Sequence, residues 1–417
     1  MFFNIFVGKM VIMIKKCTII CAAALAATMS LSVQNANGQS SMVNDFTGTW
    51  AAAAEWTGQG DMPRMSLSET TLREIIQVSI GGEELQLQLS NEFSKEPVEI
   101  KSIYVADALD SCDIDRKTVK ELKFGGQKAV TIAPGETAMS DVFAYKLKPL
   151  QRLAVTICYG AVPVNMTSHR GSRTTSYIAK GLVAPKKKFV TAEKVDHWYS
   201  IAQLNVRTGG NVKAVAVLGN SITDGRGSTT NMQNRWPDMM AAKLSDIHEV
   251  SPYGVLNLGI GGNCVIRGGL SEPAMKRFDR DILGQKNVDC LIIFQGTNDI
   301  GTSPHAEQTA KELKEAYKTL IKKAHDAGIK KVYGATITAF KGNGWYSPYH
   351  EAARQDVNEW IRTSGAFDGV IDFDALTRDP SDPERLKKEL SDDWLHLNAE
   401  GYRVMGEYAA ETINNKQ

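Results

Sequence analysis

Four short stretches of the chain carry side chains able to do chemistry together: GNSITDG at 219–225, NLGIGGN at 257–263, QGTNDIG at 295–301 and DDWLHLNAEGY at 392–402. Their combined inventory is one hydroxyl, several glycine amides, one carboxamide and an aspartate–histidine pair, which is the inventory for acyl transfer. A serine hydroxyl is a poor nucleophile at neutral pH, so an imidazole must take its proton during attack. His396 is the candidate base and Ser221 the candidate nucleophile. Asp393, three residues before His396, is placed to fix the tautomer and direction of the ring. The attacked carbonyl becomes an oxyanion and needs donors fixed beforehand. The Ser221 N–H, the Gly262 N–H and the Asn298 carboxamide are the candidates. Glycine at 262 lets the backbone approach the substrate oxygen, and a carboxamide at 298 avoids the repulsion a carboxylate would exert.

The neighbours of these groups are read as support. Asn220, Asp224 and Asp299 are expected to hydrogen-bond to the site residues rather than react. Arg235 and Trp236 begin a helix and suit either a pocket wall or a structural role, and Cys264 reads as a small apolar filler. Trp345, Tyr346 and Tyr349 lie in a glycine-rich loop, 340–353, that suits stacking on a sugar face or an acyl chain, or simply packing on its own domain. His169, in TSHRGSRTTSYIAKG, is a possible contact between the two halves of the chain. Competing readings exist: Ser221 as a helix cap, Asn298 and Asp299 as turn residues, His396 as a surface histidine. GIGGN resembles part of a dinucleotide fingerprint but lacks a full GxGxxG. None of these readings accounts for all four stretches.

The elements that must position these groups change character along the chain. From Val212 onward, VKAVAVLG, GVLNLGI, DCLIIFQG, KKVYGATIT and GVIDFD are apolar runs of strand length with amphipathic segments between them. That alternation predicts a parallel sheet covered on both faces. Ligands in such sheets bind outside the carboxyl ends of the strands, where the first three polar stretches fall. From about Asp45 to Arg207, runs such as TLREIIQVSI, ELQLQLSNEF, VEIKSIYVADA and RLAVTICYG predict many short strands, an antiparallel sandwich or jelly roll. The stretch 182–200 reads as a connector, with Lys186 to Lys188 solvated. The domains expected are a β-rich accessory region over 39–207 and an α/β region over 208–417.

Residues 1–38 are set apart. Lys15 and Lys16, the apolar run CTIICAAALAATMSLSV and small residues at Ala36 and Gly38 have the parts of an export signal, with cleavage expected after Gly38 and Met13 as an alternative start. The chain is expected to be periplasmic or extracellular; a membrane anchor is the competing reading, and Ile20 before Cys21 argues against a lipoprotein. The remainder contains no apolar run long enough to span a bilayer, so no stable membrane insertion is expected once the leader is removed. A net charge of +1 provides no basic stripe for nucleic acid. Cys112, Cys158, Cys264 and Cys290 are too scattered to demand a disulfide. Dispersed histidines and the absence of a CxxC motif give a metal site no support.

In this order and spacing, the four stretches resemble the Ser-Gly-Asn-His (SGNH, or GDSL-type) esterase and lipase superfamily over roughly the last half of the chain. The resemblance implies an α/β fold, a flavodoxin-like α/β/α sandwich, here preceded by the β-rich region. It also implies a metal-independent serine hydrolase needing no cofactor, with Ser221 as nucleophile, Gly262 and Asn298 as oxyanion donors, His396 as base and Asp393 as its orienter. One departure is Asn220, where the family usually has aspartate; it is expected to support the turn. The earlier half, together with RWPD, is similar to a two-domain, secreted or carbohydrate-active subgroup. The expectation is an exported serine esterase removing a small acyl group, acetyl, from a carbohydrate, with a small-molecule or polysaccharide ester as its substrate. A lysophospholipase or broad acyl esterase is the nearest alternative, and a non-catalytic glycan-binding protein on the same scaffold is the alternative from another class.

Overall fold

Five apolar runs become the parallel strands Lys213–Gly219, Tyr253–Gly259, Val288–Phe294, Lys331–Ala335 and Gly369–Ile371 of a computed structural model that describes residues 45–185, 187–209, 212–248, 251 and 253–414. The export leader expected over 1–38 lies outside the described residues. Numbered in chain order, the strands run 2-1-3-4-5 across the sheet, the doubly wound order. Side chains alternate between faces. Ala214, Ala216 and Leu218 join a core with Leu313, Leu320, Val357 and Ile361 from the helices Ala306–Asp326 and Pro348–Thr363. Val215 and Val217 face the opposite way, into a core with Trp236, Met240 and Leu244 of Trp236–Ile247 and Tyr402 and Met405 of Ala399–Asn414. The result is the three-layer α/β/α arrangement. Each fully buried large apolar side chain in these layers contributes roughly 1.5–3 kcal/mol.

Register sets the site. Gly219, the last residue of the first strand, is level with Gly259 on one side and Phe294 on the other. The segments that follow, beginning at Asn220, Ile260 and Gln295, therefore leave the sheet side by side.

Residues 46–207 form antiparallel sheets of five, seven and three strands. Leu85, Leu87 and Leu89 of the five-stranded sheet share one core with Leu72, Ile76, Ile103, Val105, Val155 and Ile157 of the seven-stranded sheet, as in a sandwich. The strand Thr70–Gln77 is covered on its other face too, where Ile75 packs with Tyr177, Ala179 and Phe189. Burial on both faces explains why TLREIIQ does not alternate cleanly. One expectation is corrected. The stretch 182–200 is more than a connector: Glu193–Val195 joins the large sheet and Trp198–Tyr199 joins the small one. Trp198 is fully buried against Trp50 and stacked on His169, an anchor that overrides the charged composition around it.

The antiparallel and parallel parts belong to one compact unit, Phe46–Gln417. Ala51 and Ala53 enter the core of the parallel part, and Ser79 Oγ accepts the Val255 N–H at 2.9 Å on the edge strand Tyr253–Gly259. The four cysteines among the described residues are unpaired thiols, three of them buried. Among the described residues no helix is long and apolar enough to cross a membrane.

Candidate active site

The serine lies on a single helical turn, Ser221–Asp224, entered directly from the first strand. Asn220 is its N-cap, its side-chain oxygen accepting the Ile222 N–H at 3.0 Å. The capping role read as an alternative for Ser221 is thus taken by its neighbour, and asparagine is a strong N-cap residue. Ser221 Oγ is free to face His396 Nε2, 2.9 Å away.

His396 Nδ1 lies 2.7 Å from Asp393 Oδ2, while Asp393 Oδ1 accepts the backbone N–H groups of Leu395 at 3.0 Å and His396 at 2.8 Å. This tight turn requires Trp394 in the left-handed region, φ 61°, a strained conformation for a bulky residue. Burial pulls the His396 pKa below the ordinary histidine value. The positive charges of Arg226 and Arg173 add to that pull, and together they outweigh the opposing effect of Asp393. Burial works to raise Asp393, but its hydrogen bonds from the His396 ring and backbone outweigh it and hold the carboxyl low. At neutral pH the pair is therefore a neutral imidazole beside a carboxylate.

The three expected oxyanion donors come from the three adjacent strand ends. The Ser221 N–H is at the start of a helical turn, where no intrahelical acceptor exists. Gly262 has φ 67°, a conformation that side chains rarely adopt. Leu270 packs over it, within 2.8 Å of where a Cβ would stand. Backbone geometry, besides approach to substrate, thus calls for glycine here. Asn298 lies on the turn Thr297–Gly301 and donates one amide hydrogen to the Asn263 carbonyl at 2.7 Å, which fixes the carboxamide and leaves its second N–H. Asp299 accepts the N–H groups of Val265 and Ile266, pinning the segment after Gly262. Burial drives its pKa up to about 6 against those hydrogen bonds.

Sequence reasoning passed over the group that ties these segments together. Arg277 is fully buried and donates to Gly219 O, Leu258 O, Asn263 Oδ1 and Asp281 Oδ2 at 2.9–3.1 Å. It joins the ends of the first two strands to the loop carrying Gly262. Asn263 also receives Gln295 Nε2 on its side-chain oxygen. The only sequence signal was the i,i+4 spacing of Arg277 and Asp281.

The other residues singled out divide cleanly. Asp224 is buried and paired with His169 and Arg173 of the antiparallel part. Arg235 is buried and donates its backbone N–H and its guanidinium to Asp238, and the Trp236 indole donates to Thr223 Oγ1 at 3.3 Å. Both are structural. Cys264 is a buried thiol pushed up to about 12, chiefly by burial. In the aromatic loop, Trp345 packs over Gly301 and Tyr346 Oη donates to Glu384 at 2.5 Å, so both rings are committed internally. Tyr349 is not in the loop, which ends at the N-cap Ser347, but on the first turn of the helix Pro348–Thr363; it is 80% exposed and lines a surface cavity of about 920 Å³ with Ser303, His305, Ser347 and Asp356. The loop meets the site through Asn343, which donates to the Asp393 carbonyl at 3.1 Å.

Residues 217–404 match the GDSL-like Lipase/Acylhydrolase family. Among solved structures, the chain is similar to a lipase/acylhydrolase from Enterococcus faecalis (23% identity, TM-score 0.39, covering 49% of this chain and 97% of that one). It is similar also to a carbohydrate acetylesterase from Sinorhizobium meliloti (16%, 0.38, 49% and 100%). A third is an acetylxylan esterase from Geobacillus stearothermophilus (18%, 0.37, 48% and 94%). No curated protein matches the chain. The match to the GDSL-like Lipase/Acylhydrolase family spans all four polar stretches.

Proposed function

We propose that the protein is an exported serine esterase that removes a small acyl group, acetyl, from a carbohydrate ester. The observation that carries the chemistry is the chain of contacts Ser221 Oγ to His396 Nε2 to Asp393 Oδ2, at 2.9 and 2.7 Å, with the imidazole neutral. Ser221 attacks the ester carbonyl as its proton passes to His396 Nε2. Asp393 holds the ring and stabilises the imidazolium that forms. The oxyanion collects the N–H groups of Ser221 and Gly262 and the Asn298 amide. Collapse expels the alcohol, which takes the proton from His396, and a water activated by the same imidazole then releases the acid.

Support for a carbohydrate comes from a surface cavity of the same domain, lined by segments 303–311 and 347–356 and by none of Ser221, Gly262, Asn298, Asp393 or His396, where exposed Tyr349 stands with Ser303, His305 and Asp356. Export, with the leader outside the described residues, belongs to the same reading.

Hydrolysis of an activated acetyl ester by the full chain and by Ser221→Ala tests the mechanism. Turnover is expected to fall on the order of 10⁴–10⁶-fold, with binding of acetylated oligosaccharide retained. Undiminished turnover in the variant would remove Ser221 as nucleophile. Acetate release from a panel of acetylated glycans, set against acyl chains of increasing length, separates the carbohydrate reading from a lysophospholipase or broad acyl esterase.

A further inference from the structure

The turn that carries Ser221 is electrostatically awkward on its own. A single helical turn is too short to be stable without external support. Its last residue, Asp224, places a buried carboxylate at the negative end of that turn. The parallel part supplies Arg235 nearby, which is already paired with Asp238. The cations that touch Asp224 come from the antiparallel part. His169 Nε2 lies 3.0 Å from Asp224 Oδ1, and Arg173 Nη2 lies 3.2 Å from Oδ2. Between them, Gly171 presses its backbone so close to the carboxylate that a Cβ would stand 1.9 Å from Oδ2. Arg173 is held at φ 49°, strain that the surrounding contacts must offset. The segment H-R-G-S-R, residues 169–173, wraps the carboxylate.

The same segment also reaches the loop of the oxyanion glycine. Arg170 pairs with buried Glu55 and donates to Ser271 Oγ at 3.0 Å and to Leu270 O at 3.3 Å. Leu270 is the residue packed over Gly262.

We infer that His169, with Arg173, is a positioning residue for the reaction: the antiparallel part locks the nucleophile turn through Asp224. The inference rests on the reading of Ser221 as nucleophile. His169 faces two acceptors, Asp224 Oδ1 at Nε2 and the Ala53 carbonyl, 3.0 Å away, at Nδ1. Both nitrogens donate, which is the arrangement of an imidazolium. Glu55 stands 3.6 Å from Nδ1, Arg170 lies on Glu55, Arg173 and Arg235 lie near Asp224, and the ring stacks on Trp198. Burial disfavours its charge, yet Asp224 and Glu55 outweigh burial and hold the pKa above the ordinary value. The lock's ion pair is present below that raised value and is lost as pH rises through it, when the ring gives up its Nδ1 proton beside the Ala53 carbonyl and keeps Nε2–H on the carboxylate as a neutral hydrogen bond.

The test uses full-length His169→Ala and His169→Gln, with active sites counted by fluorophosphonate labelling of the serine. The expected result is a fall in kcat per labelled site on the order of 10²-fold in His169→Ala, with KM little changed. His169→Gln, which keeps a donor toward Asp224, recovers most of it. It also removes an alkaline decline in kcat, smaller than the alanine loss, that deprotonation of His169 gives the unsubstituted protein. A residue that merely stabilised the fold would lower the labelled fraction and leave kcat per site and the pH profile alone; that outcome in both variants overturns the inference. If instead Ser221→Ala still turns over the ester, the site assignment fails, whatever His169 does.

Discussion

The ring of His396 is hydrogen-bonded on both edges, Nδ1 to Asp393 at 2.7 Å and Nε2 to Ser221 Oγ at 2.9 Å. A carboxylate only accepts, so the single proton of the neutral ring belongs on Nδ1 and the lone pair faces the hydroxyl. The proposed chemistry requires that neutral form. Because the His396 pKa is lowered, kcat/KM is expected to rise with pH through a midpoint below the ordinary histidine value of about 6.5. A pH–rate profile of kcat/KM with its acid midpoint above 7 would contradict this protonation state. Asp393→Asn presents an amide where the ring needs an acceptor, and kcat is expected to fall on the order of 10²–10⁴-fold.

Asn298 tests the oxyanion assignment separately from the proton relay. Its amide is already oriented by the Asn263 carbonyl, so Asn298→Ala removes a preorganised donor without touching Ser221 or His396. The expected loss is on the order of 10²–10³ in kcat, with KM changed little and the pH midpoint unmoved. Steady-state kinetics at several pH values give all three quantities. A large rise in KM at constant kcat would instead make Asn298 a substrate-binding residue.

The site was legible where local chemistry announced itself. Ser221, Gly262 and Asn298 follow strands whose apolar runs are unmistakable, and the parallel register then has little choice but to set them side by side. Asp393 and His396 are close in sequence, so their contact needed no knowledge of the fold. Groups that meet only through tertiary packing were not legible. Arg277 resembles any arginine of an amphipathic segment until the fold buries it under two strand ends. His169 lies 55 positions from Asp224, and nothing in TSHRGSR names its partner. Trp198 fell in a charged stretch, and only its burial against Trp50 explains why the chain forms strands there.

Arg277 is the position where removal should cost most in stability. Its guanidinium is fully buried and serves three oxygen acceptors besides Asp281. Truncation leaves the Asp281 carboxylate and those acceptors without it, and breaking a buried pair costs about 3–5 kcal/mol. Arg277→Ala is expected to lower the urea midpoint by a corresponding amount and to loosen the loop after Gly259, reducing turnover as well. An unchanged midpoint would mean that the cluster contributes nothing net to folding.

The antiparallel part covers the edge of the parallel sheet. Val255 on the edge strand donates to Ser79, Gly48 sits against Leu256, and Ala51 and Ala53 complete the core on that side. Removing the part uncovers an edge strand and its apolar flank, a template for association between chains. It also strips Asp224 of His169 and Arg173. Residues 210–417 expressed alone are therefore expected to aggregate, and any soluble fraction to turn over ester far more slowly than the full chain. Sedimentation and size-exclusion chromatography read the first outcome, and turnover per labelled serine reads the second. A monomeric fragment with full turnover would show that the edge and the Asp224 turn hold without the partner sheets.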